Sequence, residues 1–338
     1  MRVTLFVPCY NEEKSIEKSI ESWLAQTRPA DEIIVVDDSS TDNTPQILDR
    51  YEGRIRIVRT PQNTGNKSYA QEFGLQFITG DIFITTDGDT LLDKNFIEEM
   101  IKEFHDPEVA AACGYIKSLK YNWLTLCRAF EYSISQNLHK QAQSYVNFLF
   151  VISGAAGAFR TEIFKKHISF DHDTITEDLD FTYKLHRQGF KISYSKTAIV
   201  YTQDPSDLRS YKNQMRRWYG GGWQNLLKHW RTIKSPSAAL ELSLIYIEGF
   251  IFPFLLFIVP LLNIFFAAVF AASYILLSFF LSIYAAKKEK RPDILLAPFP
   301  CFFLMYVNAY ILFEQFLKEV IFKKKNLIWV KPERVSIQ

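Results

Sequence analysis

Between residues 239 and 286 the chain carries only two charged side chains, Glu241 and Glu248, and between residues 294 and 313 it carries none. Residues 1 to 238 read instead as an ordinary charged, water-soluble chain. About 20 apolar residues suffice to cross a bilayer. The first block is therefore long enough for two spans, expected at about 241–259 and 263–285 with a turn near Pro260 to Asn263. The second, about 294–316, gives a third span or, because of Pro298 and Pro300, a re-entrant or interfacial segment. The first apolar run, Val3 to Val7, is too short for a signal peptide and leads into a polar helix. These boundaries predict an integral plasma-membrane protein. It has a cytosolic domain over 1–218, an interfacial amphipathic helix over 219–238 carrying "WQNLLKHWRTIK", a membrane region over 239–322 and a basic tail over 323–338.

Orientation is argued from the basic side chains. Lys287, Lys288, Lys290 and Arg291 belong on the cytosolic side after two spans, which keeps the amino-terminal domain cytosolic. A true third span would export Lys323, Lys324 and Lys325, so the two clusters pull in opposite directions. A net charge of +2 supplies no basic field, and no nucleic-acid partner is expected. Cys9, Cys113, Cys127 and Cys301 have no Cys-x-x-Cys spacing and are read as reduced packing residues. The histidines form no metal-ligand pattern, and His167 with His172 is read as incidental.

The soluble part alternates strand and helix signals. "RVTLFVP", "DEIIVVDD", "RIRIVRT" and "DIFITTD" are separated by helical patterns at Glu12 to Gln26, from about Thr41 to Thr44 onward, and at Lys67 to Ile78. Nearly continuous apolar strands separated by helices indicate an α/β fold with a mostly parallel sheet covered on both faces. Ligands bind beyond the carboxyl ends of such strands. Three strands end there in polar groups: Tyr10-Asn11-Glu12, Asp37-Asp38 and Asp87-Gly88-Asp89. Asp37-Asp38-Ser39-Ser40-Thr41 also suits a turn and a helix cap. Neither Gly-x-Gly-x-x-Gly nor Gly-x-x-x-x-Gly-Lys-Ser/Thr occurs, so neither a dinucleotide dehydrogenase nor a P-loop hydrolase is supported.

Two carboxylates a glycine apart repel each other unless a cation neutralises them. Mg²⁺ or Mn²⁺ takes one or two carboxylates and completes its shell with water and phosphate oxygens, so Asp87 and Asp89 suit such an ion acting on a departing diphosphate. "ITEDLDF" places Thr176, Glu177 and Asp178 at a helix start. Capping accounts for carboxylates there, and a general base is the other role open to one of them. "QMRRW" combines a guanidinium suited to a diphosphate with an aromatic suited to a sugar face.

Asp37-Asp38, Asp87-Gly88-Asp89, Thr176-Glu177-Asp178 and Gln214-x-x-Arg217-Trp218, in this order before membrane helices, resemble the processive family 2 glycosyltransferases that make cellulose, hyaluronan, chitin oligosaccharides and poly-N-acetylglucosamine. The resemblance covers about residues 2 to 232. It implies a nucleotide-diphospho-sugar transferase fold of the GT-A type, Rossmann-like, and inverting transfer from a UDP-sugar, UDP-N-acetylglucosamine ahead of UDP-glucose, to a saccharide or lipid-linked acceptor. Pro8, Tyr10 and Glu12 would line the uridine pocket, and Asp38 with Asp37 would contact uracil or ribose. Asp87 would face nucleotide and metal, and Asp89 would be the principal metal ligand. Asp178 would be the general base, beside Glu177. Gln214 and Arg217 would approach the diphosphate, and Trp218 would stack on the acceptor sugar. "FVISGAAGAFR" resembles the acceptor-side loop, with Ser153 and Gly154 as its candidates.

"NTGNKSYAQEFG" departs from the family, which has glycine before the lysine and asparagine where Glu72 stands; Lys67 is still assigned to the nucleotide. The family's larger synthases have more spans, so a partner export subunit or a homo-oligomer is left open. Single-sugar transfer to a polyprenyl phosphate or glycolipid is the alternative activity. A silent polysaccharide-binding scaffold is the non-enzymatic one.

Overall fold

A computed structural model describes residues 1–230, 251, 255–258 and 260–327. Two compact units emerge, one from Met1–Lys117 with Lys140–Gln203, the other from Ser118–His139 with the described part of 204–333.

The first unit is built on one eight-stranded sheet. Its strands are β1 (Val3–Cys9), β2 (Glu32–Asp37), β3 (Arg56–Arg59), β4 (Ile82–Thr85), β5 (Thr90–Leu92), β6 (Val109–Ser118), β7 (Gly157–Arg160) and β8 (Lys191–Thr202). Spatial order is β3-β2-β1-β4-β7-β6-β8-β5. The seven residues of β1 are all buried because strands flank it on both edges and helices cover both faces. β3, β2, β1 and β4 run parallel, as their helical crossovers demand. The sheet is nevertheless mixed, because β7 pairs antiparallel with β4 and with β6, and β5 with β8. Register brings Cys9 of β1 beside Asp37 of β2, and Asp37 beside Arg59 of β3, so their carboxyl ends share one edge.

The unit's helices are α1 (Ile16–Leu24), α2 (Thr44–Asp49), α3 (Lys67–Leu75) and α4 (Phe96–Lys102), then, after α5 (Trp123–Ile134) of the second unit, α6 (Lys140–Tyr145), α7 (Thr161–His167) and α8 (Glu177–Arg187). Gly74 lets α3 sit directly on the sheet, since a Cβ there would lie 2.4 Å from Val36 Cγ2 and 2.6 Å from Phe6 Cε2. Beneath the carboxyl edge lies an aromatic core. Phe83 stacks on Phe159 at 5.1 Å, and Phe164 meets both edge-on at 5.0 Å. Phe181 joins Phe164 at 5.2 Å, which anchors α8 and fixes where its acidic first turn emerges.

Farther along α8, His186 Nε2–H donates to the Leu149 carbonyl at 2.8 Å and the ring stacks on Phe148. Burial pushes its pKa down, against the opposing pull of the Leu149 bond. The folded state thus binds this proton less readily than the unfolded chain. Its stabilisation is complete above the unfolded value near 6.5 and is lost as pH falls through that value toward the lowered folded one. The thermal midpoint should fall between pH 8 and pH 5, and His186→Gln should remove that part of the slope. A slope unchanged in the variant would place the acid sensitivity elsewhere.

The second unit is helical. It contains α5 (Trp123–Ile134), α9 (Leu208–His229), α10 (Ile264–Glu289) and α11 (Pro298–Phe316). Asn122 caps α5 reciprocally with Thr125, and Asp207 caps α9. Tyr211 and Met215 of α9 join Leu124, Cys127, Cys301 and Leu304 in one apolar cluster. Tyr211 Oη donates to Asn308 Oδ1 at 2.9 Å, and Arg216 pairs with Glu314 at 3.0 Å. α10 and the helical stretch Pro298–Ile321 are each long and apolar enough to cross a membrane. Phe265, Leu276, Leu277 and Phe280 of α10 point outward. These helices overlap the residues at which the second and third segments are expected; most of the expected first span, 241–259, lies outside the described residues. The expected interfacial stretch begins within α9 itself, which runs unbroken from Leu208 to His229.

Candidate active site

The carboxyl ends of β1 and β2 are tied into one ledge. Asn11 and Ser39 take left-handed backbone angles, φ 55 and 54. Asn11 N–H donates to Ser40 Oγ at 2.9 Å, Thr41 N–H to Asn11 Oδ1 at 2.7 Å, and Glu12 N–H to Thr44 Oγ1 at 2.8 Å. Gly88 is the close-approach residue that brings the Asp87–Asp89 turn against this ledge. A Cβ on it would stand 3.1 Å from Cys9 Cβ and 3.2 Å from Glu12 Cγ.

Asp37 and Asp38 are engaged inside the protein. Asp37 Oδ1 accepts from Ser40 N–H at 3.0 Å, while Oδ2 lies 3.6 Å from Arg59 Nε. Asp38 accepts from the hydroxyls of Thr60 and Thr64, the Asn63 amide and the Thr64 backbone N–H, all at 2.8–3.1 Å. Asp38 therefore organises the loop after β3 that leads into α3. Pro8 is the penultimate residue of β1, and Tyr10 immediately follows the strand.

Lys67, the first residue of α3, projects into the acidic edge. Its Nζ is 2.5 Å from Asp87 Oδ1 and 3.6 Å from Glu177 Oε1. Burial works against its charge, but Asp87, Glu177 and Asp178 outweigh that and hold the ammonium above its usual pKa. Asp178 is fixed by two backbone donors, Leu179 N–H at 2.9 Å and Gly154 N–H at 3.3 Å. Gly154 leaves the space Lys67 occupies, since a Cβ would come within 2.9 Å of Nζ. Ser153 begins the turn, its carbonyl accepting from Ala156 N–H at 3.0 Å. Asp87, Glu177, Asp178, Gly154 and Lys67 thus form one constellation, with Asp89 in the adjoining turn, where it is 2% exposed and accepts from Thr90 Oγ1. Among the described residues no three His, Cys, Asp or Glu side chains are placed to hold an ion. A divalent cation would fit Asp87 and Asp89 as hard oxygen ligands, provided substrate oxygens complete its shell.

His172, given no role from the sequence, has both ring nitrogens engaged. Nδ1 shares a hydrogen bond with Ser68 Oγ at 2.9 Å and Nε2 with Glu72 Oε2 at 2.8 Å, and the ring stacks on Tyr69 at 3.6 Å. This clasp ties the segment before Thr176-Glu177-Asp178 to the helix that begins with Lys67. The only sequence trace of it is Glu72, at the point of departure from the family pattern.

Gln214, Arg217 and Trp218 lie on α9 in the second unit, with Gln214 and Trp218 four residues apart on one face. Trp218 packs against the Arg128 guanidinium at 4.9 Å. Arg128 is itself held by Glu131 at 2.5 Å and Asp204 at 3.4 Å. The sequence reading missed Arg128; its one signal is a lone arginine three residues before a glutamate on an otherwise apolar helix.

Residues 4–168 match the family model described as Glycosyl transferase family 2. The chain is 26% identical to the poly-beta-1,6-N-acetyl-D-glucosamine synthase of Staphylococcus epidermidis, over 99% of this chain and 88% of that one. Against the enzyme of the same description from Staphylococcus aureus (strain COL) it is 30% identical over 67% of this chain and 56% of that one. Among solved structures, it resembles a mannosyltransferase, PcManGT from Pyrobaculum calidifontis, in complex with GDP-Man and Mn²⁺ (TM-score 0.68, 22% identity, 96% and 88% coverage). It also resembles S. aureus TarS 1-349 in complex with UDP (TM-score 0.56, 17% identity, 94% and 92% coverage). At these identities the structural likenesses establish a shared fold.

Proposed function

The chain belongs to glycosyl transferase family 2, and from that premise we propose that it is a membrane-bound inverting β-glycosyltransferase acting on a UDP-sugar, UDP-N-acetylglucosamine ahead of UDP-glucose. The observation that carries this is Asp178. It is held by two backbone donors at a helix start, on the same carboxyl edge as Asp87 and Lys67. On this reading Asp178 is the general base. Resemblance to the two curated synthases supports an N-acetylglucosamine donor and a growing saccharide as acceptor.

In this mechanism an acceptor hydroxyl attacks C1 of the donor sugar from the face opposite the diphosphate. Its proton passes to Asp178, the bond from C1 to the diphosphate oxygen breaks, and the electron pair leaves with UDP. Lys67, paired with Asp87 and Glu177 in the free protein, is assigned to the leaving oxygens, exchanging Asp87 for them as charge develops. Asp89 and Asp87 would hold Mg²⁺ or Mn²⁺, which would supply further positive charge to the diphosphate. Pro8, Tyr10 and Glu12 are assigned to the uridine ledge, with Asp38 shaping its far side and Asp37 bracing it. Ser153 and Gly154 are assigned to the acceptor loop. Gln214 and Arg217 are assigned to the diphosphate, and Trp218 to the acceptor sugar, from the family resemblance alone. α10 and α11 would anchor the protein, since a 26-residue helix spans about 39 Å and a bilayer core about 30 Å.

The test is UDP release by the purified full-length protein across a panel of UDP-sugars with Mn²⁺, followed by mass analysis of the product. A ladder of β-linked oligosaccharides is expected. One organic-extractable product would favour single-sugar transfer to a lipid. Absence of both UDP binding and turnover would favour the scaffold.

A further inference from the structure

Residues 169–172, between α7 and α8, are fastened to two helices at once. On the α8 side, the Lys184 ammonium donates to the Ser169 carbonyl at 2.6 Å and lies 2.8 Å from Asp171 Oδ2, while Phe170 meets Phe181 edge-on at 4.9 Å. On the α3 side the fastening is His172. Its Nδ1 meets Ser68 Oγ at 2.9 Å, its Nε2 meets Glu72 Oε2 at 2.8 Å, and its ring lies between Tyr69, stacked at 3.6 Å, and Phe170 at 6.1 Å. A carboxylate only accepts, so Nε2–H donates to Glu72, and the Ser68 hydroxyl can donate to Nδ1 or accept from it. The backbone of His172 is left-handed, φ 52, which a residue with a Cβ adopts at a cost. Two hydrogen bonds and a ring stack offset that cost and hold the imidazole in place.

The two helices joined in this way carry opposite halves of the acidic edge. Ser68 directly follows Lys67 at the start of α3, and α8 opens on Glu177 and Asp178. Resting on the reading of the chain as a UDP-sugar transferase, we propose that His172 is a positioning residue for the transfer. It sets the spacing between the Lys67 ammonium, assigned to the leaving diphosphate, and the Asp178 carboxylate, assigned to the acceptor hydroxyl. Without the ring, Lys184 and Phe181 still hold residues 169–171 on α8, but the tie from them to α3 is gone. The Lys67–Glu177 pair also joins the helices, yet Lys67 moves as it exchanges Asp87 for the leaving oxygens, whereas the His172 clasp is independent of substrate. Lys67 and Asp178 act at the same moment, one on the breaking bond and one on the proton. Looseness between them therefore costs more in the transition state than in the ground state. The uridine ledge, built from the ends of β1 and β2, is not part of this tie.

Steady-state kinetics and calorimetry on the purified full-length protein test it. Glycine suits the left-handed backbone at this position, so His172→Gly removes the ring without straining the chain. Its kcat for the UDP-sugar that wild type uses best should fall about tenfold to a hundredfold, the scale of a displaced catalytic group. Donor KM should stay within about twofold, and titration with UDP should count as many sites as in wild type. Glu72→Ala, which alters only a half-exposed side chain, should lower kcat about threefold or more. The double variant should be no slower than His172→Gly, because both changes act through one ring. Wild-type kcat in either variant, additive losses, or UDP sites lost in step with kcat overturn the assignment. Should His172→Gly not fold, Glu72→Ala decides alone by its kcat and its count of UDP sites. None of these results touches the transferase reading. That reading falls, and takes this assignment with it, if wild type turns over no UDP-sugar.

Discussion

Asp178→Asn is expected to lower turnover about a thousandfold while UDP affinity stays within about twofold of wild type. The substitution keeps the side chain's size and an oxygen able to accept from Leu179 N–H, but removes the charge that, on the proposed mechanism, would take the acceptor proton. General-base catalysis contributes about 10²–10⁴ to rate. Lys67 keeps Asp87 and Glu177 as neighbours, so the nucleotide side of the site is preserved. Single-turnover assays paired with calorimetry check both halves. Turnover within about tenfold of wild type would remove Asp178 from the role of base, and a loss of UDP binding would show a structural defect instead.

Asp89→Ala should act on the other side of the reaction. With Asp87 paired to Lys67, Asp89 is the carboxylate on which a cation at this turn would depend. Turnover is expected to fall about a thousandfold, the scale of lost charge stabilisation at a leaving group. The distinguishing readout is binding. In wild type, Mn²⁺ should tighten UDP relative to EDTA; in the variant the two titrations should coincide. Because Asp89 is nearly inaccessible, Asp89→Asn serves as the isosteric control for folding. Full metal dependence retained in both variants would exclude Asp89 as a ligand.

The parallel half of the sheet was legible because its apolar strands alternate with helices at short spacing, and that spacing forces parallel crossovers. The antiparallel half was not, since β6, β7 and β8 meet through pairings across long stretches of chain that leave no local period. The site divides in a similar way. Asp87, Asp89, Glu177 and Asp178 announce themselves as carboxylates at strand and helix ends. The work that Asp38 does is hidden, because its donors come from the separate segment at Thr60, Asn63 and Thr64. His172 and Arg128 were hidden for the same reason: their partners Glu72, Ser68 and Asp204 lie far away in sequence. Local chemistry could be read in advance, but the pairing of distant groups could not.

Lys67 also bears on how such a protein is made. With an ammonium already set between Asp87 and Glu177, the acidic edge carries its own counter-charge before any ion or nucleotide arrives. Folding of the first unit can then finish whatever the divalent-ion content around it. One ammonium against Asp87, Glu177 and Asp178 leaves this edge partly neutralised and still negative, the charge that a cation would meet there.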